Sequence, residues 1–340
     1  FLKMMRYQWT LVTLMAILIG NISAQDLHFT QFSFSPLHVN PAQCGKFNGS
    51  YRVGGIFRDQ AFAIASSSAY KTINFYLDAT FPWRIRKNDW MGFGLNFLQD
   101  RSGDINWGSG GFIAQIAYHL YLNPRSSLSL GGQYGFVNYN IQNPEKAVFQ
   151  SSFTGGSSNP GILQNKAKYK DISIGINYLS SLGAARHILE IGLNAARINR
   201  PNVTQLTTGG SNRLNTLFTA NAGLTYHLNQ KVDLRNYLWL RNLKSNTEII
   251  PQCIVSYLFN AEKGIRLNGG LGYRVGDALQ IMLGADINNL GFQIALDQTL
   301  SSLSSVQSPN GLGAVEFGVK YIGVVTKKPN PKPKVFCPRF

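Results

Sequence analysis

Acidic residues are scarce: 16 Asp and Glu stand against 32 Lys and Arg in 340 residues, a formal net charge of +16. Charged residues of both signs make up only 14% of the chain, well under the roughly 25% of soluble domains. Cysteine is limited to Cys44, Cys253 and Cys337, so at most one disulfide forms and a disulfide-stapled scaffold is excluded. There is no Gly-x-x-x-x-Gly-Lys phosphate loop, no His-Glu-x-x-His and no Cys-x-x-Cys. The Gly-x-Gly pairs at Gly92/Gly94 and Gly311/Gly313 open no helix of a βαβ unit and read as strand or loop glycines. A catalytic His would need a Ser or Asp beside it on neighbouring strands at the outer rim, whereas the topology puts His119, His187 and His227 at the periplasmic strand ends, on different hairpins. No cofactor or metal is expected, and the chain does not read as an enzyme. Past residue 24 no apolar run is long enough for a membrane-crossing helix, which needs about 20 residues.

What is present is alternation. From Phe112 the residues Phe112, Ala114, Ile116, Tyr118 and Leu120 fall on one face, with Gln115, Ala117 and His119 between them. After Asn123-Pro124-Arg125, a turn signal, Leu128, Leu130, Tyr134 and Phe136 resume it against Ser129, Gln133 and Gly135. This is a hairpin of period two. About fourteen such segments follow one another from Gly49 to Tyr321. Several reach the 9 to 11 residues that a tilted strand needs to cross a bilayer, whereas strands of a secreted β-sandwich average about 5 to 6. With 44% hydrophobic residues and little charge, the expected fold is all-β, a closed antiparallel β-barrel of the outer-membrane kind.

Lys3 and Arg6, the apolar run Leu11 to Ile19 and Ile22-Ser23-Ala24 have the form of a secretory signal peptide over residues 1–24. Residues 25–47 then make a periplasmic segment, 48–322 the barrel, and 323–340 a Pro/Lys-rich periplasmic tail. The segment QDLHFTQFSFSPLHVNPAQCGK carries Phe29, Phe32, Phe34 and Leu37, more apolar surface than a free tail needs, so it should pack against something. An export signal argues against nucleic acid as the counterpart of the positive charge. Outer-membrane lipid and the phosphates of lipopolysaccharide fit better.

Barrels of this kind have short periplasmic turns and longer outer loops. Asn123–Arg125, Ser180–Arg186, Asn229–Lys231, Asn260–Gly264 and Asn288–Asn289 are the short connections. Ile141–Lys170, Ala195–Thr216, Arg241–Gln252 and Asp297–Ala314 are the long ones, with Arg274–Asp277 a tight exception. Gln142 to Lys168 is expected to be an exposed outer loop. Phe112, Ile116, Tyr118, Ile172, Ile174, Ile176, Leu283 and Phe317 should face lipid, and Gln115, Gln133, Ser173, Asn177 and Glu316 the interior. Small neutral residues dominate inside, without the ring of opposed charges that an ion-selective pore would use, so the lumen should be narrow or partly plugged. Trp90, Tyr118, Tyr178, Tyr226, Trp239 and Tyr321 suit interfacial girdles.

Gln25-Asp26, Gln31-Phe32, Pro36-Leu37, Asn40-Pro41-Ala42 and Gly45 resemble the opening of the PorP/SprF family of Bacteroidota outer-membrane proteins. Phe57-Arg58-Asp59-Gln60 resembles the end of that family's first strand, with Asp59 in place of Asn and Ala61 in place of Trp. The resemblance implies a non-enzymatic component of the type IX secretion and gliding machinery. Its partners would be periplasmic lipoproteins and a large secreted surface protein or adhesin. The alternative is a passive or substrate-specific channel.

The tail KKPNPKPKVFCPRF has prolines that favour extended geometry. Barrel closure sets the first and last strands side by side, so a Cys44–Cys337 disulfide is expected to pin the tail to the N-terminal segment. Lys327, Lys328, Lys332, Lys334, Phe336, Arg339 and Phe340 would then form a partner-binding platform. The other possibility is three free thiols and an undocked tail.

Overall fold

A computed structural model describes residues 27–60, 70–81, 86, 88–103, 105–143, 146, 166–203, 213–244, 246–300 and 312–325. Among them are fourteen strands: β1 (Tyr51–Gln60), β2 (Tyr70–Phe81), β3 (Trp90–Ser102), β4 (Trp107–Asn123), β5 (Ser126–Ile141), β6 (Lys166–Leu182), β7 (His187–Ala196), β8 (Leu217–His227), β9 (Val232–Leu243), β10 (Asn246–Asn260), β11 (Ile265–Arg274), β12 (Ala278–Ile287), β13 (Leu290–Thr299) and β14 (Leu312–Gly323). Each pairs antiparallel with its sequence neighbours, and β1 pairs with β14 from Tyr51 opposite Gly323 to Gln60 opposite Ala314. The sheet is therefore closed and has no edge of unpaired backbone groups, the condition for crossing a bilayer with strands. No helix among the described residues is long and apolar enough to cross a membrane.

Alternation sorts the two faces as the sequence pattern requires. Phe112, Ile116, Ile174, Ile176, Leu283 and Phe317 are exposed on the outside, with Phe112 at 68%, while Gln115, Ser173, Asn177 and Glu316 are buried inside. Tyr118 and Ile172 lie on the outer face half-buried, and Gln133 points inward to donate to Ser173 Oγ at 2.9 Å. One end of the barrel carries the tight turns, for example Asn288–Asn289 with Asn288 at φ 52°. The other carries the longer connections. These are called the turn end and the loop end.

Three expectations change. Arg241–Gln252 is not a loop, because β9 runs to Leu243 and β10 starts at Asn246. β10 runs through Pro251, which pairs with Leu238 of β9, while the ladder to β11 begins at Gln252. Ile141 and Lys166 to Lys170, assigned to a long connection, belong to β5 and β6, and most of the rest of that connection lies outside the described residues. Residues 27–47, expected outside the barrel on the periplasmic side, lie in its lumen. The proposed leader 1–24 and the tail residues Lys327, Lys328, Lys332, Lys334, Phe336, Cys337, Arg339 and Phe340 fall outside the described residues.

Candidate functional site

The segment before β1 folds into three short turns: a 3-10 turn at Phe32–Phe34, one helical turn at Pro36–Val39 and a second 3-10 turn at Pro41–Gln43. Pro36 and Pro41 stand at the first positions of their turns, where a missing N–H costs nothing. Asn40 caps the last turn by accepting from Ala42 N at 2.9 Å. This compact plug is buried on all sides: Phe29, Leu37, Ala42 and Cys44 are fully buried, as are the polar Thr30, Gln31, Ser35 and Asn40.

Hydrogen bonds tie the plug to the wall along its whole course. At the loop end the Leu27 carbonyl accepts from Arg241, itself paired to Glu248 at 2.9 Å. Thr30 N and Gln31 N donate to the two Glu316 oxygens at 2.7 and 2.9 Å, and Thr30 Oγ1 donates to Asp297 at 2.6 Å. Arg58 sits between Glu316 and Asp297, bonding both, and Arg274 reaches Asp297 at 3.0 Å. Two arginines thus neutralise two carboxylates that also accept from the plug, which is what lets the charges stay buried. Midway, Ser35 Oγ donates to Asn74, Gln115 Nε2 donates to the Leu37 carbonyl at 2.6 Å, and Phe32 packs on Trp239 with centroids 5.1 Å apart. Asn40 Nδ2 donates to the carbonyls of Ile176 and Leu193. At the turn end Gly45 N donates to Asp78 at 2.8 Å, Arg52 forks onto the same carboxylate, and Lys46 pairs with Glu190.

Close approach depends on wall glycines. A Cβ on Gly92 would collide with the Cys44 carbonyl, and one on Gly175 with Asn40 Oδ1. Gly45 takes φ 71°, the left-handed turn that leads the chain from the plug toward β1.

His119 is inward and fully buried, not a rim residue. Its Nε2 faces the Cys44 carbonyl at 2.8 Å and so carries the proton, which leaves Nδ1 to accept from Ser129 Oγ at 2.7 Å. A Ser–His contact of this sort could suggest a nucleophile. Here no carboxylate bonds the ring, its second nitrogen is spent on the plug, and both side chains are closed off from solvent, so the pair is an anchor. Among the described residues no cluster of His, Cys, Asp and Glu could hold a metal ion.

The profile of one family, described as Type IX secretion system membrane protein PorP/SprF, matches residues 21–321. The chain belongs to that family. No curated protein matches it in sequence. Solved structures of similar shape include the Pseudomonas putida toluene transporter TodX, with 10% identity, coverage of 89% of this chain and 94% of that one, and a TM-score of 0.47. CymD, a monoaromatic hydrocarbon channel, has 9% identity over 84% and 91%, with a TM-score of 0.47. BamA from Haemophilus ducreyi has 10% identity over 81% and 70%, with a TM-score of 0.43.

Of the residues that carry the PorP/SprF resemblance, Gln31, Phe32, Pro36, Leu37, Asn40, Pro41, Ala42 and Gly45 all lie in the plug. Arg58 is its wall anchor, and Gln60 stands at the loop end of β1 opposite Ala314. Cys44 is a free, buried thiol held against Tyr76 and Ala117, and Cys337, the other half of the expected disulfide, falls outside the described residues. Sequence reasoning missed Arg52, Asp78, Arg241, Glu248, Arg274 and Asp297, because each strand contributes only one or two and every partner stands on a different strand. Trp90 and Trp239, assigned to girdles, face inward: Trp90 Nε1 donates to the Gly45 carbonyl and Trp239 packs on Phe32. The signal that could have found them is a Trp on the inward parity of its strand.

Proposed function

We propose that this PorP/SprF protein is a closed barrel of the bacterial outer membrane that serves type IX secretion as a scaffold and docking component, with its turn end in the periplasm. The observation that carries the reading is the plug: residues Leu27–Gly45 fill the lumen and are bonded to strands on opposite sides of it. A passage for solutes would need that segment to leave. Function then rests on the two rims, the turn end meeting periplasmic lipoproteins and the loop end meeting a large secreted protein or adhesin. The channel reading has no comparable support in the lumen, where the plug's anchors use the very groups that would line a pore. Affinity capture of the full chain from native membranes tests the proposal. Recovery of secretion components in fixed proportion is expected; recovery of the barrel alone, free of partners, would contradict it.

A further inference from the structure

Fourteen strands present their outward faces, yet only five cationic side chains stand on them among the described residues: Lys71, Arg101, Lys166, Lys168 and Lys170. All five are exposed and all lie at the loop end of the adjacent strands β2 to β6. Strand register assembles them into rows. The first row across the five strands reads Lys71, Arg101, Gly108, Asn140, Lys166. The second reads Ile73, Gln99, Gly110, Asn138, Lys168. The third, one step toward mid-barrel, reads Phe75, Phe97, Phe112, Phe136, Lys170. Below it come Leu77, Leu95, Ala114, Tyr134 and Ile172.

Polarity therefore changes abruptly on this five-strand third of the wall. A belt of four phenylalanines gives way within one row to amides and cations. Between the flanking cations Gly108 and Gly110 leave a floor without side chains, and a groove of about 250 Å³ opens there with Gln99, Asn138 and Asn140 on its sides. None of the four lysines has an ion-pair partner among the described residues. Two carboxylates stand nearby: Asp100 lines the groove and accepts from Thr72 Oγ1 at 2.6 Å, and Asp59 of the neighbouring strand stands opposite Lys71. The five strands span roughly 19 Å, from a spacing of about 4.8 Å, so the two cationic flanks are too far apart to serve one small anion.

We infer that this groove binds the phosphate-bearing sugar headgroup of an outer-leaflet glycolipid, with the acyl chains against the phenylalanine belt. The inference rests on the outer-membrane reading above and adds to it a place and a ligand chemistry. Amides and a flat glycine floor suit a sugar ring, and lysines on both sides suit phosphates carried at its two ends. An acidic protein would account for the cations but not for the apolar belt one row beneath them.

The test uses the full chain purified in a neutral detergent and diphosphoryl lipid A as the probe, with its dephosphorylated form beside it. Native mass spectrometry reads the bound fraction, and heat-modifiable migration reports that each variant keeps its barrel. K166Q/K168Q/K170Q should weaken diphosphoryl lipid A on the order of a hundredfold, at about 1 kcal/mol for each cation near an anionic surface. K231Q/K263Q, which removes exposed charge at the turn end, should leave it unchanged. Equal binding by K166Q/K168Q/K170Q, or equal loss in both variants, would overturn the site. Full displacement by inorganic pyrophosphate would make it a soluble-phosphate site instead, and loss of a co-purifying acidic protein with lipid binding intact would make it a protein-docking face. Ser102→Cys, labelled from outside intact cells by a membrane-impermeant maleimide, checks the leaflet separately. Failure to label would place the groove on the wrong side, whatever the capture experiment shows about partners.

Discussion

Arg58→Met removes the cation that stands between Asp297 and Glu316. In the native lumen these carboxylates also accept from Thr30 N, Thr30 Oγ1 and Gln31 N, so the plug's upper end is held by groups whose charge Arg58 balances. Arg274 remains on Asp297, but Glu316 is left with no cation. Removing one partner of a buried pair costs about 3–5 kcal/mol. Most of that cost is relieved once the plug lifts and water reaches the carboxylates, so it should appear as easier plug opening rather than as a weaker barrel. At about 1.4 kcal/mol per factor of ten, the Thr30 and Gln31 amides should exchange hydrogen roughly a hundredfold to a few thousandfold faster. Strand amides such as those of β12 should keep their protection. Peptide-resolved exchange on the detergent-folded protein reads both. Adding Glu316→Gln to Arg58→Met should restore much of the protection, because the uncompensated charge is gone while Asp297 keeps Arg274. Unchanged exchange at Thr30 and Gln31, with faster exchange in β1 and β14 instead, would show that Arg58 holds the wall and not the plug.

Gly92→Val forces side-chain atoms onto the Cys44 carbonyl and should lower thermal stability by about 1–3 kcal/mol, read as the temperature at which heat-modifiable migration is lost; Gly132→Val, at a position with open space around it, is the neutral control. Leu283→Arg, on the exposed outer face, should cost about 2–4 kcal/mol in urea titrations of the barrel in lipid vesicles if Leu283 lies near mid-bilayer, and an effect near zero would place it at an interface. Burial pushes the Cys44 thiol well above its usual range, so it stays protonated at pH values where exposed thiols ionise. Raising the pH through about 8.5 should therefore not make Cys44 react with iodoacetamide in the folded protein, and non-reducing peptide maps should return it unpaired; a Cys44–Cys337 peptide would refute the plug's placement.

The wall was legible because its physics is periodic. Phe112 to Leu120 and Ile172 to Tyr178 declare two faces by parity alone, and a miscount of one strand would have scrambled the alternation of short turns and longer connections. The plug was legible only as unexplained grease: Phe29, Phe32, Phe34 and Leu37 demanded a packing partner, yet nothing local says that the partner is the inside of the same barrel. The anchors were harder still. Arg58 and Asp297 are 239 residues apart in the chain and meet only after closure, so each reads by itself as one polar residue on an inward parity. Gly92 and Gly175 read as strand glycines for the same reason, since what crowds them comes from another part of the chain. Arg241 to Gln252 was misread as a loop because its polar residues and Pro251 show no clean alternation, yet β9 and β10 pair through it from Asn246 opposite Leu243 onward.

Planar-bilayer conductance addresses the central claim, that the lumen is closed by the chain's own N-terminal segment. The full chain should give no steady current, while a variant lacking Phe29–Cys44 but still migrating as a folded barrel should give a stable ohmic conductance. A steady current from the full chain equal to that of the deletion variant would contradict the account.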